Sequence, residues 1–290
     1  MNLKIKNSTI LTFVAVMALS FPVAINTYAG SLLFVAPNRI VMEPDQRTAV
    51  VNVTNKDDRH REFKIVVQNY IMTENGTTQI VDTFPYSAER MIRYVPRRIK
   101  LAPGERQTVR IMARRPKDLS DGDYHSHLLF DEMAPPPVES LANKDVPPEG
   151  KGQLKFKIEA LYGLAIPIVI EHGAIENKLV VTAAKIKLQD NGSYIATVSL
   201  DRTGNSEGKG FLTIEHTTPE GIAKVVGLGG DLHIYRELEH VNRTFRIKIE
   251  KDTPLNGLKA VLRTGSRSSD KVLSTVPVTI APQDEVSIEN

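Results

Sequence analysis

Residues 154–170 read Leu154-Lys155-Phe156-Lys157-Ile158-Glu159-Ala160-Leu161-Tyr162-Gly163-Leu164-Ala165-Ile166-Pro167-Ile168-Val169-Ile170. One parity holds Leu154, Phe156, Ile158, Ala160, Tyr162, Leu164, Ile166, Ile168 and Ile170, and the other Lys155, Lys157, Glu159, Leu161, Gly163, Ala165, Pro167 and Val169. Successive side chains of a strand point to opposite faces, so a period of two is a β signature. The alternation is clean to Ala160, after which both faces turn apolar. A strand wetted on one face shows the first pattern and a strand covered on both faces the second. The segment therefore passes from one environment into the other along its length. At about 3.3 Å per residue it spans roughly 50 Å, against roughly 17–20 Å for an ordinary strand.

The same period recurs every ten residues or so along the whole chain, with few windows that carry a helical repeat. Asn75-Gly76, Pro103-Gly104 and Asp121-Gly122 separate strands in the first half, and Asp190-Asn191-Gly192, Pro219-Glu220-Gly221 and Asn256-Gly257 in the second. Glycine and asparagine tolerate the backbone angles of tight turns. Residues 133–152 carry five prolines and two glycines, which predicts a loop between two strands of one domain. A second break falls at Glu171-His172-Gly173, after which strands start afresh, among them Ala223 to Gly227 and Asp231 to Tyr235. The expected fold class is all-β: two immunoglobulin-like β-sandwich domains in series, residues 30–172 and 173–290, with a cleft between them. Short barrels are the alternative.

Lys4 and Lys6 precede an apolar run from Ile10 to Ala24 and then Thr27-Tyr28-Ala29, the order of a secretory signal peptide over residues 1–29. The run is broken by Ser20 and Pro22 and is short for a spanning helix. The remaining chain of about 260 residues is long enough for two ordinary cores. It contains no cysteine, so neither disulfides nor thiol chemistry operate in the oxidising compartment that export implies.

The net charge of +3 is small and mixed, which argues against a nucleic-acid footprint. Between Glu89 and Lys117, however, ten bases face only Glu89 and Glu105, which reads either as a solvated face or as a surface for an anionic partner. No Gly-x-Ser-x-Gly elbow, phosphate loop or His-Glu-x-x-His motif occurs, so no enzyme, metal or cofactor is expected. His125 and His127 share a strand face at a spacing seen in metal pairs, but without a third ligand they read as a solvated strand end.

The length of the 154–170 segment leaves two readings. One is a strand that switches between the sheets of its own domain; the other is an edge that lends main-chain hydrogen bonds and alternate side chains to a partner. Burying five such side chains contributes roughly 1.5–3 kcal/mol each before association costs. An exposed apolar edge is otherwise an aggregation hazard.

With Val35-Ala36-Pro37-Asn38-Arg39-Ile40-Val41-Met42, Val50-Val51-Asn52-Val53-Thr54-Asn55, residues 99–111 and residues 119–130, this strand makes five segments that stand in the order found in one family. The chain resembles the periplasmic pilus-assembly chaperones of the chaperone-usher pathway, the PapD-like family. That resemblance implies a periplasmic chaperone that binds, stabilises and delivers pilus or fimbrial subunits by donor-strand complementation. Its partners would be those subunits and an outer-membrane usher, with no nucleic acid and no membrane insertion, and with a self-capping dimer as a possible free state. It implies donor residues Leu154, Phe156, Ile158, Ala160 and Tyr162, and a subunit carboxylate anchor at Arg39, whose guanidinium fork suits the task. Two features depart from the family. No Lys or Arg lies between Ile158 and Asn177, so the second cleft base is missing, and Glu171 stands where an arginine is common. The rival reading is a two-domain envelope or adhesive protein that binds carbohydrate or protein.

Overall fold

The computed structural model describes residues 33–134, 161–218, 221–249, 253–265 and 271–281. The expected signal segment, residues 135–152 of the Pro-rich loop, and Leu154, Phe156, Ile158 and Ala160 lie outside the described residues.

The fold is two β-sandwiches. In the first, β1 (Leu33–Ala36), β3 (Thr48–Asn55), β8 (Arg106–Ala113) and β6 (Ile92–Val95) make a four-stranded sheet in the order β1-β3-β8-β6. The facing sheet runs β2 (Ile40–Met42), β10 (Gly163–His172), β9 (Gly122–Glu132), β4 (Arg61–Met72), β5 (Thr78–Val81), with β7 (Arg98–Leu101) also paired to β4. The alternation closes the layers over one core: Val51, Val53, Val109 and Ile111 meet Phe63, Ile65, Leu128, Phe130, Ile166 and Ile168. Full burial of each of these stabilises by about 1.5–3 kcal/mol. The basic run follows the same alternation. Arg93, Arg98, Lys100, Arg106 and Arg110 are exposed while Ile92, Ile99, Leu101, Val109 and Ile111 are buried.

The second sandwich is built from β11 (Asn177–Leu188), β12 (Tyr194–Gly204), β13 (Gly208–Thr217), β14 (Ala223–Ile234), β15 (His240–Ile247), β16 (Leu258–Arg263) and β17 (Val272–Ile280), in the order β14-β13-β16-β17-β11-β12-β15. Strand β17 first runs antiparallel to β16 and then, from Val278 to Ile280, parallel to β11. It thereby joins the two layers around a core that includes Ile186, Val198, Leu212, Ile214 and Leu262. Where the sequence predicts two strands at 223–227 and 231–235, one continuous β14 stands, with register shifts opposite Leu212/Thr213 and Ile214/Glu215. Its glycines serve close packing as well as bending. A Cβ on Gly227 would meet Ile247 Cγ2 at 2.5 Å, and one on Gly229 would meet Leu212 at 2.8 Å.

The β4–β5 hairpin ties the sandwiches together. Met72 is buried in the second core, Asn242 N–H donates to the Glu74 carbonyl at 2.7 Å, and Arg243 Nη1 donates to the Gly76 carbonyl at 2.7 Å.

Candidate functional site

Strand β10 pairs antiparallel with β9 without a shift from Gly163↔Asp131 to His172↔Gly122. Its other edge meets β2 only at Ile168–Ile170. Among the described residues, Gly163 to Pro167 therefore have a strand on one side alone. Pro167, which has no amide to donate, suits such an edge. The inward parity is the one read from the sequence. Ile166, Ile168 and Ile170 are buried in the first core, Leu164 packs partly against it, and Tyr162, two residues on, is 52% exposed. The apolar face thus leaves its own core between Leu164 and Tyr162. Glu132 holds the point of emergence: its N–H donates to the Tyr162 carbonyl, its Oε2 accepts the Tyr162 N–H at 3.0 Å, and its Oε1 pairs with Arg61.

The opposite face of β9 and β10 carries a buried polar junction between the sandwiches. Arg39, in the corner between β1 and β2, donates through Nη2 to Glu207 Oε2, and its Cζ lies 5.7 Å from the Tyr235 ring centre. Lys209 Nζ lies 2.9 Å from Glu207 Oε1 and 3.7 Å from Glu171 Oε1, and His233 Nδ1 lies 3.5 Å from Glu207 Oε2. Burial works to raise the Glu207 pKa, but the His233 contact and the charges of Arg39 and Lys209 outweigh it and hold the carboxyl at about 2. Asp123 Oδ2 accepts the Glu207 N–H at 2.7 Å, while Arg236 Nη1 donates to the Asp123 carbonyl at 2.9 Å. His125 stacks on Tyr235 at 3.8 Å and sets Nε2 3.0 Å from Glu237 Oε2; the other oxygen of Glu237 accepts the Met72 N–H. His127 stands edge-on to Tyr235 at 6.2 Å. The two histidines are therefore interface residues, and the solvated strand end expected of them is corrected: both are buried because a second sandwich covers them.

Two arginines position these groups: Arg202, which the sequence reading passed over, and Arg115, which it counted only within the basic run. Arg202, itself buried, donates to the carbonyls of Leu238, Gly204, Ser206 and Arg236 at 2.7–3.0 Å, locking the loops that present Glu207 and Tyr235 to Glu237. Arg115 donates to the carbonyls of Glu171, Gln46, Met42 and Glu43 at 2.7–3.0 Å, fastening the end of β10 to the turn after β2. Glu207 and Lys209 were missed as well. They sit beside a turn, with no local spacing that marks them, and only the Arg39 partner a chain-half away gives them meaning.

No family model matches the chain, and no curated protein matches it. Solved structures do. The chain is similar to the class 5 fimbriae chaperone CfaA, with 10% identity over 87% of this chain and 100% of that one at a TM-score of 0.46. It is also similar to the CsuC–CsuE chaperone–tip adhesion subunit pre-assembly complex from the archaic chaperone-usher Csu pili of Acinetobacter baumannii, with 12% identity over 87% and 100% at 0.43. These neighbours are pilus-assembly chaperones. A third, a chaperone–tip adhesin complex of CFA/I fimbriae biogenesis, matches at 10% identity over 85% of this chain and 97% of that one, with a TM-score of 0.46.

The junction has a pH signature. Burial, reinforced by His125 and Arg39, lowers the His127 pKa to about 4 from an ordinary 6.5. As pH falls through that window the unfolded chain takes up a proton the fold refuses, and stability drops. Burial raises Asp123 from 3.8 to about 6, with the Glu207 N–H opposing. Its contribution is complete below 3.8 and is lost as pH rises through 6. The two nearly cancel between pH 4 and 6. In urea denaturation across that range, His127→Gln is expected to lose stability as pH rises and Asp123→Asn to gain it; slopes of the same sign in both variants would contradict this assignment.

Proposed function

We propose that this chain is a periplasmic chaperone, exported by residues 1–29, that holds pilus or fimbrial subunits by donor-strand complementation and delivers them to an outer-membrane usher. The observation that supports it is the edge of β10. Over Gly163 to Pro167 this edge has one strand neighbour among the described residues, and its apolar face emerges half-exposed at Tyr162. Were the strand to continue at the same parity, that face would present Ala160, Ile158, Phe156 and Leu154 to a partner, whose main chain would pair with the edge and whose sheet would receive the alternate side chains. Arg39 is assigned as the anchor for the subunit's terminal carboxylate, since its guanidinium already holds a carboxylate in this structure. The free protein would cover its edge by pairing with a second copy. Residues 30–172 would form the donor domain and 173–290 its partner.

The test is periplasmic co-expression with the surface subunits encoded nearby, followed by pull-down. Wild type retains a subunit. Tyr162→Asp, at a half-exposed position that the core does not need, reduces retention at least about tenfold, because a charge would be buried unpaired in the subunit's groove. Retention of no subunit by wild type would sink the reading in favour of an envelope or adhesive protein.

A further inference from the structure

In the junction described above a carboxylate is held by bases, and both come from the chain itself. Arg39 reaches it from the first sandwich; Lys209 and His233, opposite one another in the β13–β14 ladder, reach it from the second. Exposure is graded. The Glu207 side chain is 1% exposed, Arg39 17%, His233 37% and Lys209 41%. A ligand arriving from solvent therefore meets the bases before the acid.

The guanidinium is also only partly used. It donates to Glu207 through Nη2, while its buried Nε has no hydrogen-bond partner among the described residues. A carboxylate accepted by the full fork makes two parallel charge-assisted bonds, a stronger arrangement than the one Glu207 makes. Glu207 can leave without being stranded. Its main chain stays pinned through its N–H to Asp123, and its Oε1 is already 2.9 Å from Lys209 Nζ.

Building on the function proposed above, we infer that Glu207 is the resident ligand of a carboxylate site centred on Arg39. The terminal carboxylate of a bound subunit takes this place by exchange, and Lys209 receives the displaced glutamate. The site thus makes the chaperone's hold conditional. An incoming chain must offer a carboxylate that beats an internal one, which selects a free C-terminus over an arbitrary apolar strand. Lys209 takes a part in the site that no base on β10 can supply, and Glu171 lies 3.7 Å from it.

The experiment uses the full mature chain and a peptide of about fifteen residues copied from the C-terminal strand of the subunit retained in the pull-down, made as free acid and as amide. Affinities for both are measured by titration calorimetry, with thermal unfolding as the folding control. Glu207→Gln frees Arg39, and the preference for acid over amide rises about tenfold; adding Arg39→Ala to that variant removes the preference. Lys209→Met, at an exposed position that the fold tolerates, leaves Glu207 on Arg39 and lowers the preference severalfold. Should Glu207→Gln fail to fold, the Lys209→Met arm decides alone. An unchanged preference in folded Glu207→Gln, or a raised one in Lys209→Met, overturns the exchange while leaving strand donation intact. If no subunit is retained by wild type, the functional reading and this inference fall together.

Discussion

Replacing Leu154, Phe156 and Ile158 together by serine abolishes subunit retention, with affinity falling at least about a thousandfold. Each side chain is worth roughly 1.5–3 kcal/mol when transferred from water to an apolar groove, so three of them exceed the roughly 4 kcal/mol that a thousandfold change represents. The same substitutions leave the unfolding midpoint of the free protein within about 2 °C. Ile166, Ile168 and Ile170 already supply a share of the first core from β10, and among the described residues Leu164 is the last of that face to pack on it. An adhesive or envelope protein, whose long strand would only switch between its own sheets, predicts the reverse: lost stability and no effect on a partner. Pull-down and thermal unfolding on the one variant separate the two.

The second large effect falls on the fold. Arg202→Met lowers stability by about 3–5 kcal/mol, because four carbonyls lose their donor at once and a methionine of similar length fills the volume without replacing any bond. In a chain of this size that is a fall of roughly 6–15 °C in the unfolding midpoint. The loss should extend to the junction. The loops at Gly204–Ser206 and Arg236–Leu238 carry Glu207 and Glu237 toward the first sandwich, so Arg202→Met also weakens the contact of His125 with Glu237. Near-UV circular dichroism of Tyr235, stacked on His125, reports it. A change of less than about 1 kcal/mol would mean that water satisfies these carbonyls equally well.

Most strands were legible because they bury one face on their own core; β9 shows the same alternation of apolar and polar residues although both its faces are covered. β4 and β9 span Arg61–Met72 and Gly122–Glu132, the bounds that their alternation between turn residues marks in the sequence, and the parity of β10 passes unbroken from the sequence into the core. β5 was invisible: Thr78-Gln79-Ile80-Val81 buries no residue fully, and it exists through its ladder with the end of β4. The split expected at Gly227 to Gly230 failed because glycine marks a close approach as readily as a turn, and here Leu212 and Ile247 stand against it. The junction was the least readable part. Asp123, His125 and His127 alternate as polar residues on a strand, which locally means solvent, yet their partners Glu207, Tyr235 and Glu237 lie roughly a hundred residues away and bury them. Arg39 was singled out, but the carboxylate it holds came from within the chain.

Strand donation itself is read most directly by hydrogen exchange of the backbone amides on the free edge of β10. Gly163, Leu164, Ala165 and Ile166 are compared in the free protein and in the purified complex with a retained subunit. Donation predicts that the outward-facing amides among them, exchanging rapidly in the free protein at a dilution that keeps it monomeric, become protected by at least about a hundredfold in the complex, as a new main-chain ladder forms. A complex that forms while those amides exchange as fast as before would show that the subunit is held elsewhere, and would contradict the central claim.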